Sequence, residues 1–70
     1  MVNNVKMCRR MRRLTALELA HSIGRSEPHV YRVERGTVGV DQEEAARIAD
    51  ALSFPLHLVF PDASQRGGQP

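Results

Sequence analysis

Apolar residues recur three or four positions apart through most of the chain, and no stretch shows the strict apolar-polar alternation of a half-buried strand. Val5, Cys8 and Met11, with Met7 beside them, predict a first helix over Asn4 to Arg12. Leu19, Ala20 and Ile23 supply the inward face of a second, which opens at "TALE", residues 15 to 18. There Thr15 and Glu18 have the spacing of a capping box, each side chain accepting a backbone N–H that the helix start leaves unpaired. Gly24 is the predicted stop, because glycine takes the left-handed conformation of a helix end at no steric cost. Ser26, two residues on, can cap the next start. A third helix follows from Glu27 to Arg35, with Pro28 tolerated in the first turn and Gly36 as the stop.

"DQEE" at 41 to 44 predicts a second capping box, and Ala45, Ile48, Ala49 and Leu52 form the inward stripe of a fourth helix ending near Ser53. Pro55 suits the first turn of a short fifth helix, Leu56 to Phe60, closed by Pro61. The fold expected is all-α: one compact domain over residues 1 to 62, and a flexible tail, "ASQRGGQP", over 63 to 70.

The third helix is unusual in what it turns outward. Val30 and Val33 face the core, which leaves Glu27, Pro28, Tyr31, Arg32 and Arg35 on the outside or its flanks and His29 at the edge. So many different polar groups on one short helix suggest a surface that reads something.

Charge sharpens this picture. The net charge of +2 conceals an asymmetry: residues 1 to 36 carry eight Lys and Arg against three Glu, a balance of +5, whereas 37 to 62 carry Arg47 against five acids, a balance of −4. Such a bipolar molecule presents its basic half to a polyanion. Part of the basic cluster also suits the negative end of the first helix, an explanation that requires no ligand.

Other function classes are disfavoured. A chain of 70 residues buries only about 60% of its unfolded surface, leaving little room for an enclosed pocket. His21, His29, His57 and Cys8 show no spacing typical of a metal or nucleophile site, so no enzyme, cofactor or metal is expected, and no small-molecule substrate is evident. The lone Cys8 excludes an internal disulfide. No apolar run of signal-peptide or bilayer-spanning character occurs, which predicts a cytoplasmic protein with no membrane partner.

Two short helices joined by a tight, Gly-containing turn make a helix-turn-helix, whose second helix can enter the major groove of B-DNA. "LTALELAHSIGRSEPHVYRVERG", followed by "EEAARIADALSFPLHLVF", resembles the Cro and phage-repressor type of helix-turn-helix domain, also named after the xenobiotic response element regulators. The resemblance spans about Val5 to Phe60 and includes Leu14, Thr15, Glu18, Gly24, Ser26, Val30, Glu34, Gly36, Ile48 and Leu52. It implies a five-helix, lambda-repressor-like domain that binds double-stranded DNA as a homodimer on a pseudo-palindromic operator and represses transcription.

The same resemblance places the base-reading positions on Glu27, Pro28, Tyr31 and Arg32. Arg32 can bond bidentately to the O6 and N7 of guanine; Glu27 can accept from a cytosine amino group, or simply stabilise the helix N-terminus; Pro28 offers only apolar contact, as to a thymine methyl. Tyr31 can stack, bond to phosphate, or pack against the protein. Phosphate contacts are expected from Arg10, Arg13, Arg25, Ser26, His29 and Arg35, with Arg12 a further candidate. Arg9 and Glu34 occupy positions of a structural ion pair.

Three departures stand out. Ala16 replaces a Gln that donates to phosphate in the family, Arg13 replaces a Gly at the end of the first helix, and Arg25 replaces an apolar turn residue. The alternative function is a protein-interaction module of the same fold, antitoxin-like or bridging, acting through an apolar patch around the fourth and fifth helices. Phe54, Leu56, Val59 and Phe60, with Leu17, are the candidate dimer or partner surface.

Overall fold

Thr15 and Glu18 exchange the two bonds of a capping box, Thr15 Oγ1 accepting from the Glu18 N–H at 3.0 Å and Glu18 Oε1 from the Thr15 N–H at 2.8 Å. This start belongs to a computed structural model that describes residues 3–61. Among the described residues the chain forms α1 (Val5–Met11), α2 (Ala16–Ile23), α3 (Glu27–Arg35), α4 (Gln42–Leu52) and α5 (Leu56–Val59), with no strand. The expected tail, 63 to 70, lies outside the described residues. No helix of the described residues is long and apolar enough to cross a membrane.

The stops follow backbone chemistry. Gly24 and Gly36 end α2 and α3 at φ 70° and 76°, in the left-handed region. A Cβ on Gly24 would meet nothing within 4 Å, so conformation and not crowding calls for glycine there. Two non-glycine residues take the same conformation: Arg13 at φ 59° after α1, and Ser53 at φ 58° after α4. Each stores on the order of 1 kcal/mol of backbone strain.

α2 packs against α3 and α4, while α1 and α5 close the remaining sides. Val5 and Cys8 from α1, Leu19 and Ile23 from α2, Val30 and Val33 from α3, Ile48 and Leu52 from α4, and Val59 with Phe60 meet in one core. Each large side chain so buried stabilises the fold by about 1.5–3 kcal/mol relative to exposure. Burial pushes the Cys8 thiol above its ordinary pKa, the nearby Arg12 charge acting against it, which favours the neutral thiol of a small core residue.

Several expectations are corrected. Met7 and Met11 do not face inward; they are 50% and 63% exposed, because Val5, Cys8 and Arg9 take the buried face of so short a helix. α5 stops at Val59, one residue early, and Pro55 caps it from outside. The "DQEE" start is half a capping box: Asp41 accepts from the Glu44 N–H at 2.7 Å, but the Glu44 side chain does not return to Asp41.

Candidate nucleic-acid interface

α2 and α3 are joined by Gly24, Arg25 and Ser26 alone, a turn short enough to force a sharp change of direction. Ser26 caps α3, its hydroxyl accepting from the His29 N–H at 3.3 Å. Val30 and Val33 are buried, and the opposite face carries Pro28, Tyr31, Arg32 and Arg35, all exposed, with Glu27 half-buried. Tyr31 is 41% exposed and its hydroxyl donates to Glu27 Oε2 at 3.4 Å, one turn away. Arg32 has no side-chain partner among the described residues.

α3 is fastened from two sides. Arg9 on α1 donates from Nε to Glu34 Oε2 at 2.6 Å, and from Nη1 to the Leu14 carbonyl at 2.9 Å. Both side chains are nearly buried, at 10% and 4% exposure. The hydrogen bond to Glu34 raises the pKa of Arg9, with desolvation opposing it, so the charge of this arginine is secure. Asn3 adds a third tie, its amide donating to the Val33 carbonyl at 2.8 Å.

On the other side lies Glu44, a buried carboxylate at the start of α4. Its Oε2 accepts from Arg25 Nε at 3.0 Å and lies 2.7 Å from His29 Nε2, a separation at which the imidazole N–H donates. Burial alone would push the Glu44 carboxyl up; the bonds from Arg25 and His29, together with their charges, outweigh it and hold the carboxyl below its ordinary value. Arg25 and His29, expected as phosphate contacts, are thus engaged within the protein. His29 faces α4, and the Arg25 stem fills no core position.

Arg12 is also redirected. It donates from Nε to the Leu52 carbonyl at 2.8 Å and from Nη2 to the Ser53 carbonyl at 2.7 Å, with its guanidinium 4.0 Å from the Phe54 ring centroid. It therefore satisfies the C-terminal end of α4 and stacks on an aromatic face. Arg10, Arg13 and Arg35 keep exposed side chains without ion-pair partners among the described residues, as does Lys6.

The expected partner surface does not form as drawn. Val59 and Phe60 are 0% and 1% exposed and belong to the core; Phe54 and Leu56 are partly buried against it. Core packing claims them because Val59 and the Phe60 that follows α5 turn into the core beside Leu52 and Val5, leaving Leu58 as the exposed large apolar residue of α5. Among the described residues the exposed large apolar side chains are Met7, Met11, Leu17, Tyr31 and Leu58, spread over four helices.

Glu44 and Arg12 are the residues whose roles sequence reasoning missed. Glu44 reads as the closing half of a capping box, and nothing linear links it to Arg25 or His29, 19 and 15 positions earlier.

A helix that projects polar side chains after a three-residue turn, on a five-helix scaffold, defines the helix-turn-helix class of DNA-binding domain. A family model described as a helix-turn-helix domain matches residues 3–59, and the chain belongs to that family. No curated protein matches the chain.

Proposed function

We propose that this protein is a sequence-specific regulator of transcription, of the Cro and phage-repressor type, that inserts α3 into the major groove of an operator and represses. The observation that carries the reading is the outward face of α3: Arg32, exposed and without a side-chain partner among the described residues, stands among Pro28, Tyr31 and Glu27 on a helix fixed by Arg9 and Glu44. A guanidinium held on a rigid helix without a counterion is suited to the bidentate acceptors of guanine.

In this reading Glu27, Pro28, Tyr31 and Arg32 meet base edges, and Arg10, Arg13, Ser26 and Arg35 meet phosphates. Arg25 and His29 bond to Glu44 and so also position α3, while the half-exposed Arg25 keeps its place among the phosphate contacts. The protein acts as a homodimer on a pseudo-palindrome, with the exposed Leu58 on α5 available to the partner copy. Its place is the cytoplasm, at the nucleoid.

Selection of bound sequences from random duplex DNA, followed by titration of the selected duplex at several salt concentrations, tests the reading. A palindromic sequence bound well above random DNA is the expected result. Failure of the folded protein to enrich any sequence at low salt overturns it.

A further inference from the structure

The solvent side of α1 is not simply polar. Val5, Cys8 and Arg9 take the buried face, and Met7 and Met11 stand in water at 50% and 63% exposure. Four positions apart, the two methionines are neighbours one turn along the helix. Lys6 and Arg10, also exposed and four positions apart, run beside them. Together with Asn3, Asn4 and Glu34 these side chains line an open groove of about 660 Å³.

The fold already uses the other polar groups of this groove. Glu34 is bonded to Arg9, the Asn3 amide donates to the Val33 carbonyl, and the Asn4 amide donates to the Leu58 carbonyl. Lys6 and Arg10 have no side-chain partner among the described residues. What the groove offers outward is therefore an apolar edge one turn long with two cations alongside. Methionine is unbranched and polarizable, and it moulds itself to apolar partners of varied shape. The complement is a surface that brings apolar anchors one turn apart with carboxylates next to them. An amphipathic helix with apolar residues at i and i+4, flanked by Asp or Glu, has that pattern and docks by laying its apolar face in a groove.

Other occupants match less of the groove. Two copies joined α1 to α1 about a twofold axis set Lys6 and Arg10 against the same cations. The acids that a second copy presents on α4, Glu43 and Asp50, have Ala46 and Arg47 between them and no exposed large apolar side chain. A nucleic-acid backbone satisfies the cations and leaves both methionines without an apolar partner. We infer that the outer face of α1 is a docking site for an acidic amphipathic helix of another protein. Met7 and Met11 receive its apolar anchors, and Lys6 and Arg10 its carboxylates. This interaction goes beyond the assignment of α3 to DNA and does not rest on it.

The experiment uses a fluorescent synthetic helix with Leu at i and i+4 flanked by Glu, and a counterpart with Lys in place of every Glu. Binding to the whole chain is read by anisotropy, and the Met7 and Met11 methyl signals by NMR. The acidic helix is expected to bind and shift both methyl signals, and the basic one to do neither. Met7→Gln/Met11→Gln is expected to weaken the acidic helix by at least about tenfold, as loss of two apolar contacts requires. Lys6→Gln/Arg10→Gln is expected to weaken it and to flatten its salt dependence. All four positions are exposed, and an unchanged melting temperature verifies the fold. The methionine variant is expected to bind duplex DNA as wild type does, and wild type that takes the acidic helix but no duplex overturns the DNA reading while leaving this site standing. Equal binding of the two helices, or unshifted methionine methyls, overturns the site. Self-association that disappears in the methionine variant, without binding of the acidic helix, overturns it in favour of a second copy. Binding of phosphatidylglycerol vesicles in place of the helix overturns it in favour of a membrane surface.

Discussion

Arg9 and Glu34, 25 positions apart in sequence, meet at 2.6 Å between Nε and Oε2, so that the first helix holds the third by a nearly buried charge pair. A pair of this kind adds little over a well-packed apolar replacement, but removing one partner strands the other. Arg9→Ala is expected to lower stability by about 3 kcal/mol, because Glu34 keeps its charge in a site from which water is largely excluded. Thermal denaturation checks this. An unchanged melting temperature removes the structural role of the pair.

Glu44 makes stability depend on acid. Its carboxyl titrates below the ordinary value, so its contribution is complete above that value and is lost as pH falls through the lower native one. Glu44→Gln lacks this titration. The melting temperature of wild type is expected to exceed that of Glu44→Gln near neutral pH, and the gap to close as pH falls below about 4.5. A gap of the same size at about pH 3 would remove the Arg25–Glu44–His29 cluster as its origin.

Arg13 separates stability from binding. At φ 59° its backbone favours glycine, and its side chain is exposed. Arg13→Gly is expected to raise stability by about 0.5–1 kcal/mol through relief of strain. On DNA the same variant is expected to bind every sequence more weakly and with a shallower salt dependence, as loss of a phosphate contact requires. Calorimetry and a salt titration on the same sample read the two effects separately.

Arg32→Ala tests direct readout. Discrimination at one base step is expected to fall by about 1–3 kcal/mol, with affinity for random DNA largely retained. Equal loss on every duplex assigns Arg32 to phosphate instead.

Much of the fold is legible in the chain because its signals are local. The α2 start needs only Thr15 and Glu18, the two stops need Gly24 and Gly36, and α3 runs over the predicted residues Glu27 to Arg35. Reading fails where a side chain chooses between a near and a distant partner. Glu44 has the spacing to close a capping box, yet turns to Arg25 and His29, since two charge-assisted bonds in a buried site outweigh one bond to a backbone N–H. Arg12 looks like one more cation of a basic run and proves to be the cap of a helix that ends 40 positions later. Val59 and Phe60 have apolar character that suits a core or an interface equally, and only packing decides.

Asn4 carries a different consequence. Its backbone N–H donates to the Val59 carbonyl at 2.8 Å and its side-chain amide to Leu58 at 2.7 Å, so the beginning of the fold is clasped to its end. Val5 and Val59, the neighbours of this clasp in each segment, are both fully buried. During synthesis from the N-terminus α1 therefore emerges long before its clasp exists. Its contacts with α3 and α4 can form as those helices emerge, and the joint with α5 is the last to close.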